Sequence, residues 1–361
     1  MRVLFLTPWY PSDTDAMSGL FVQKHVEAVR AQGAEVRVIF SQGWRDTWNQ
    51  WRALEREGWM PDVVQLNVIQ KQGLLALWLK RRFSIPYIII EHWSGYLPEN
   101  GQFRQMSSLQ KRFYQRIASQ AEMILTVSSA LQRAMQSNGI EAKSWGTIDN
   151  VVDEFFSPHS TLNSQHSTLN TPHSTLNTPH STTKILLHVS CFDEKAKNVK
   201  GLLRAAKMLS ERRQDWSLVL VGTGVDYRDV RAYADALEIP EGLLRWTGEL
   251  TPQEVANEMH RADALVLSSR YETYGVVLAE AATARLPILS TPVGIAEEVA
   301  DLIVPQEVAV SKPGRFAEFI ETILFHQERL DKKPNLCERF TAERIGQHLM
   351  DIYDSCLHRD I

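Results

Sequence analysis

Residues Ala264–Ser290 read ALVLSSRYETYGVVLAEAATARLPILS. The first four are an apolar run of strand length, Ser268–Tyr274 is a polar turn, Val276–Ala284 is an alanine-rich helix, and Ile288–Ser290 is a second strand. Strand, turn, helix and strand make one crossover unit, and strands that are almost wholly apolar belong to parallel sheets covered on both faces. Gly275 opens the helix. Its first amides have no intrahelical acceptors and carry a partial positive charge, which suits a phosphate. Glu272 stands in the turn and Glu280 on the helix, and acceptor-only carboxylates are natural partners for sugar and ribose hydroxyls.

The same grammar runs outward in both directions. Before residue 156, apolar runs (Val3–Thr7, Val36–Phe40, Val63–Val68, Tyr87–Ile90, Met123–Val127) alternate with amphipathic stretches (Gly19–Ala31, Gly73–Arg82, Phe103–Ser119, Ser128–Ser137). After residue 183 the alternation resumes with Lys184–Val189, Lys200–Arg212, Ser217–Val221 and Tyr227–Leu237. This pattern predicts an α/β chain of two doubly wound, Rossmann-like domains facing a cleft at the carboxyl ends of their strands. The expected boundaries are 1–156, 184–340 and a final helix within 341–361 that crosses back to the first domain. A length of 361 residues suits two domains. Between them, residues 157–183 carry a seven-residue unit (HSTLNSQ, HSTLNTP, HSTLNTP) with one apolar residue each. Such a segment buries too little surface to offset its ordering entropy and is expected to be a disordered linker.

Composition narrows the function. Net charge is −4, which argues against a nucleic-acid binder. The three cysteines, Cys191, Cys337 and Cys356, are far apart and suggest neither a disulfide framework nor a zinc site, so a reducing cytoplasm is expected. Pro8 and Pro11 cut the apolar N-terminus too short for a signal peptide, and no apolar run approaches the roughly 20 residues of a membrane span. Any membrane contact would be peripheral, through basic clusters such as Lys80–Arg82 at the inner face of the membrane.

Glu272-Thr273-Tyr274-Gly275 followed by Glu280-Ala281 resembles the glutamate–seven residues–glutamate motif of retaining GT-B glycosyltransferases, specifically glycosyltransferase family 4. The resemblance extends over nearly the whole chain except the repeat. It implies that Glu272 contacts the transferring sugar, Glu280 the ribose, and Gly275 and Val276 the diphosphate. Lys197 falls where the family places a lysine against the diphosphate, a point charge for the leaving group. The arginine that usually accompanies it is Cys191 here, so either Lys195 or Lys200 compensates or the donor is gripped differently, with Arg270 as another candidate. Gly222 and Gly224 resemble the Gly-x-Gly turn near base and ribose, and Thr247–Leu250 the loop against the base. In the first domain Gly19 resembles the glycine loop near the phosphate. His92, at a strand's carboxyl end, is placed by the resemblance near the reacting sugar, and Trp93 and Tyr96 either stack on an acceptor sugar or pack.

The implied function is transfer of a sugar from a UDP- or GDP-sugar to a glycan or lipid-linked acceptor in cell-surface polysaccharide biosynthesis. No metal and no cofactor beyond the donor substrate are expected. Two other readings stay open: a nucleotide-sugar epimerase of similar shape, which lacks this glutamate spacing, and a non-catalytic binder, suggested by Cys191 and by Val151 where the family has glycine.

Overall fold

A computed structural model describes residues 1–13, 15, 17–158, 183–330 and 336–358; the repeat at 159–182 lies outside the described residues. The chain forms two compact units, Met1–Val151 with Arg339–Ile361, and Val152–Glu338.

The first unit holds a six-stranded sheet of β1 (Arg2–Thr7), β2 (Glu35–Phe40), β3 (Val63–Asn67), β4 (Tyr87–Glu91), β5 (Met123–Thr126) and β6 (Trp145–Thr147). Its order is β2-β1-β3-β4-β5-β6, and every pairing is parallel. β3 and β4 are buried along their whole length, as parallel strands covered on both faces must be. The order reverses between β1 and β3, so the turns after these strands border the place where such sheets open a crevice.

The C-terminal helix Ala342–Leu357 packs on the Leu20–Ala31 helix of this unit, burying Ile345, Leu349, Ile352 and Tyr353. Gly346 permits the close crossing: a Cβ there would meet the Ala28 carbonyl oxygen at 2.5 Å. Arg339 holds Asp149 with two charge-assisted bonds of 2.9 and 3.0 Å, and the Tyr353 hydroxyl donates to the buried Gln65.

The second unit has β7 (Lys184–Val189), β8 (Trp216–Val221), β9 (Leu244–Gly248), β10 (Ala264–Leu267), β11 (Ile288–Ser290) and β12 (Leu302–Ile303), in the order β12-β11-β10-β7-β8-β9 and again all parallel. Leu186, Leu218, Leu220 and Val266 from the strands pack with Leu202, Leu203 and Leu209 of the Val199–Ser210 helix and with Phe316, Ile320 and Ile323 of the Pro313–Phe325 helix. Here the order reverses between β7 and β10.

The structure corrects the sequence reading at the sheet edges. β6 and β9 are half-exposed edge strands of mixed sequence and β12 is an edge strand of two residues, so none carries an apolar run of strand length. Thr247 and Gly248, read as loop, close β9. The stretch Phe103–Ser119 is two helices, Gln102–Gln105 and Ser108–Ala118, because Ser107 and Gln110 form a capping box that starts a new helix. Among the described residues no helix is long and apolar enough to cross a membrane.

Candidate functional site

In the second unit, the segments that follow β7 and β10 lie at the strand-order reversal. Asp193 caps the short Glu194–Lys197 helix by accepting from the Ala196 amide, and Asn198, in the left-handed region at φ 51°, turns the chain into the Val199–Ser210 helix. That turn is locked from below. The Asn198 amide group donates to the Ser268 and Ala309 carbonyls, while Ser268 Oγ donates to the Lys197 and Asn198 carbonyls. Gly201 leaves room for the Asn198 side chain, which a Cβ would meet at 2.5 Å.

This lock sets Lys197 against Glu272. Its Nζ lies 2.5 Å from Glu272 Oε1, and the Ser269 hydroxyl donates to the same oxygen at 2.8 Å. The two side chains are only 15% and 13% exposed, so the pair is nearly withdrawn from water. Burial by itself lowers the Lys197 pKa, but the Glu272 charge, with Cys191 and Asp193 nearby, outweighs it and leaves the ammonium above its ordinary value. Tyr271 is pushed up by burial and by the Asp193 charge. His188 sits beneath, fully buried: burial drives it down to about 4, so the ring is neutral, with Nδ1 2.9 Å from the Val266 carbonyl and Nε2 2.8 Å from Ser190 Oγ.

Other predicted residues of this unit have partners of their own. Arg270 lays its guanidinium, still partly exposed, on the neighbouring segment, bonding the Glu194 carbonyl and Asn198 Oδ1, with Glu194 Oε1 at 3.7 Å. Its own amide donates to the Ala196 carbonyl at 2.6 Å, so Arg270 fastens the Lys197 turn to the Glu272 turn. Lys200 is held by Asp229 at 2.6 Å, Lys195 is exposed, and Cys191 is exposed. Gly275, at φ 80°, is the N-cap of the Val276–Thr283 helix and supplies no side chain to its amides. Val276 is 38% exposed at the helix mouth, and Glu280, half-buried, follows on the same face one turn later. Gly294 supports the turn from behind, since a Cβ there would strike the Tyr274 carbonyl oxygen at 2.1 Å.

Gly222 and Gly224 are explained by packing on the loop after β7. A Cβ at Gly222 would lie 2.0 Å from the Ser190 carbonyl oxygen, and one at Gly224 2.5 Å from the Phe192 nitrogen. The two loops are also cross-bonded, Phe192 N to Thr223 O at 2.8 Å and Asp226 N to Phe192 O at 2.9 Å.

In the first unit, Gly19 opens the Leu20–Ala31 helix at φ 67°, and a Cβ there would collide with the backbone of Trp9 and Tyr10 at 2.3–2.6 Å. His92 follows β4 and lies on the Phe21 ring, 4.3 Å between centroids, with His25 at 6.2 Å. Burial, then the neighbouring His25, drives His92 well below its ordinary pKa, and among the described residues its buried Nε2 has no hydrogen-bond partner. Tyr96 packs instead of facing a ligand: it is buried against Trp93, Phe103 and Tyr114.

Sequence reasoning passed over His188, Asn198, Ser269 and Tyr271. His188 is the one with a signal, a single polar side chain inside the apolar run ILLHV. Asn198 gave none, since its role depends on contacts with Ser268 and Ala309, 70 and 111 residues away.

Residues 176–340 match the model of glycosyl transferases group 1, and residues 2–150 that of the glycosyl transferase 4-like domain. The chain is 25% identical over 202 residues to the lipopolysaccharide 1,6-galactosyltransferase of Escherichia coli K12, covering 55% of this chain and 51% of that one. It spans between about a quarter and a half of the length of the curated relatives it matches. Among solved structures it is similar in fold to the sucrose-phosphate synthase from Thermosynechococcus elongatus, with a TM-score of 0.72, 18% identity and 98% of both chains covered. It is also similar to Anabaena HepE in complex with UDP, with a TM-score of 0.70, 17% identity, and 98% of this chain and 100% of that one covered.

Proposed function

Since the chain belongs to the group 1 glycosyl transferases of GT-B fold, we propose that it moves a sugar from a nucleoside-diphosphate sugar to a glycan or lipid-linked acceptor. The bond between the anomeric carbon and the diphosphate oxygen breaks, and the diphosphate leaves with the electron pair. The acceptor oxygen bonds to that carbon and gives up its proton. Transfer proceeds with retention of configuration and without a metal, as the resemblance implies.

The observation that carries this reading is the buried Lys197–Glu272 pair beside a helix whose N-terminus has no side-chain cap. Lys197 is a fixed positive charge for the departing diphosphate, and the amides after Gly275 add a second, dipolar one. Glu272 is held by both Lys197 and Ser269, so it can orient a sugar hydroxyl without reorganising. Glu280 anchors the ribose. With Arg270 and Lys200 engaged elsewhere, the charge lost at Cys191 is made up by that helix terminus and by the exposed Lys195.

Gly19 serves the donor phosphate, and His92 the reacting sugar or the acceptor. We further propose work in cell-surface polysaccharide assembly, at the cytoplasmic face of the membrane. The E. coli relative, a lipopolysaccharide galactosyltransferase by name, supports this pathway class.

A thermal-shift screen of UDP, GDP and their sugars tests the donor. At a hundredfold excess over its dissociation constant the right nucleotide stabilises by ~2.7 kcal/mol. The sugar nucleotide it selects is then followed for nucleotide release or transfer. Glu272→Ala and Lys197→Ala should each abolish turnover; unchanged rates would show the site to be misassigned, and isomerisation without release would point to an epimerase.

A further inference from the structure

Glu91 is the last residue of β4 and is wholly buried, yet its carboxylate is fully used. Oε1 accepts from the amides of His92 and Trp93, both at 3.0 Å, and Oε2 accepts from the amide of Ile69 at 3.1 Å. One side chain therefore ties together the turns after β3 and β4, next to the point where the strand order of this sheet reverses. The turn after β3 needs tying. Val68 is a β-branched residue at φ 66°, a conformation that costs energy and persists only where its surroundings enforce it. Besides the Glu91–Ile69 bond, the Val68 amide bonds the Ile90 carbonyl at 2.9 Å.

We propose that Glu91 is a positioning residue for transfer: its carboxylate fixes the backbone on which His92 is carried, and uptake of a proton by that carboxylate loosens the hold and slows transfer in acid. The inference rests on the assignment of His92 to the reacting site. An ionised carboxylate offers only acceptors to the three amides. A protonated one places an O–H where one of the amides points, donor against donor.

The ionisable groups around Glu91 are Tyr96, Tyr114 and His92, with His25 behind His92. Among the described residues no lysine or arginine pairs with it. Burial therefore pushes the carboxyl up to about 7, although the three amides and Tyr96 pull it down. Tyr96 and Tyr114, pushed up by burial and by Glu91 itself, stay neutral, and His92 and His25 stay uncharged at neutral pH. Glu91 is the group in this cluster whose charge changes near neutrality.

The test follows release of nucleotide from UDP-glucose or GDP-mannose, whichever the screen selects, from pH 5.5 to 9 with water as acceptor. UDP or GDP affinity is measured alongside. In the wild type kcat should fall about tenfold per pH unit below about 7. Glu91→Gln should lose at least tenfold in kcat at pH 8, show no such acid limb, and bind the free nucleotide as the wild type does at every pH. Glu91→Asp, which keeps the charge, should recover part of the rate and retain the limb. A wild type without an acid limb, or Glu91→Gln with wild-type kcat and limb, would overturn the proposal. If Glu91→Gln does not fold, the wild type and Glu91→Asp decide it, since both must show the limb. His92→Ala separates the two readings: unchanged turnover there overturns the role of His92 itself, whereas lowered turnover there with wild-type behaviour in Glu91→Gln overturns Glu91 alone.

Discussion

Replacing Lys197 by methionine leaves the Glu272 carboxylate in a nearly water-free place where, among the described residues, the Ser269 hydroxyl still donates to it. At 2.5 Å and an effective dielectric constant near 20, the ion pair is worth about 7 kcal/mol of Coulomb energy. Most of that offsets the cost of taking both charges out of water. Removing one partner of such a pair typically costs about 3–5 kcal/mol, because the other charge remains. Since Ser269 still donates, the lower figure applies, about 3 kcal/mol.

For a unit of this size each kcal/mol moves the melting temperature by about 2–4 °C, so Lys197→Met should melt about 6–12 °C below the wild type. The Lys197 pKa is raised, so its contribution is complete below the ordinary lysine value and is lost as pH rises through the higher folded value. Calorimetry at pH 8 without ligand therefore reads all of it. Adding Glu272→Gln removes the stranded charge, and the double variant should melt above Lys197→Met despite carrying one more substitution. Additive losses in the double variant, or a Lys197→Met melting temperature within 1 °C of wild type, would refute the reasoning.

Three other outcomes are expected. Gly222→Ala, whose Cβ would lie 2.0 Å from a backbone oxygen at φ 120°, should cost at least about 3 kcal/mol in urea unfolding, whereas Gly33→Ala, also at positive φ but with nothing within 4 Å, should cost about 1 kcal/mol. Glu280→Ala should weaken the selected nucleotide roughly ten- to a hundredfold in titration calorimetry. Glu91, raised to about 7 from 4.5, favours the folded state fully below pH 4.5, and this contribution is lost as pH rises through 7, about 3 kcal/mol in all. Glu91→Gln has no such slope, so its melting temperature should rise relative to wild type between pH 5 and pH 8.

The crossover units, the two-unit α/β organisation and the glutamate motif were legible in the sequence because they are local. A buried parallel strand must be apolar along its length, a helix must begin somewhere, and Gly275 at φ 80° is what a helix mouth without a side-chain cap demands. The edge strands β6, β9 and β12 were not legible, because an edge needs no apolar run.

The state of each charged group was decided only by the tertiary structure. In the sequence Arg270 and Lys197 are both cations expected to face the donor diphosphate. In the fold one is drawn onto the backbone of Glu194 and the side chain of Asn198, and the other onto Glu272, 75 residues away. Glu91 passed as the residue before a histidine until Ile69, from the neighbouring strand's turn, was seen to share its carboxylate. Hydrophobic periodicity records how much of an element is buried, so sequence fixes the layers. Which polar groups meet within them depends on strand order and turn geometry, set by contacts between residues far apart in the chain.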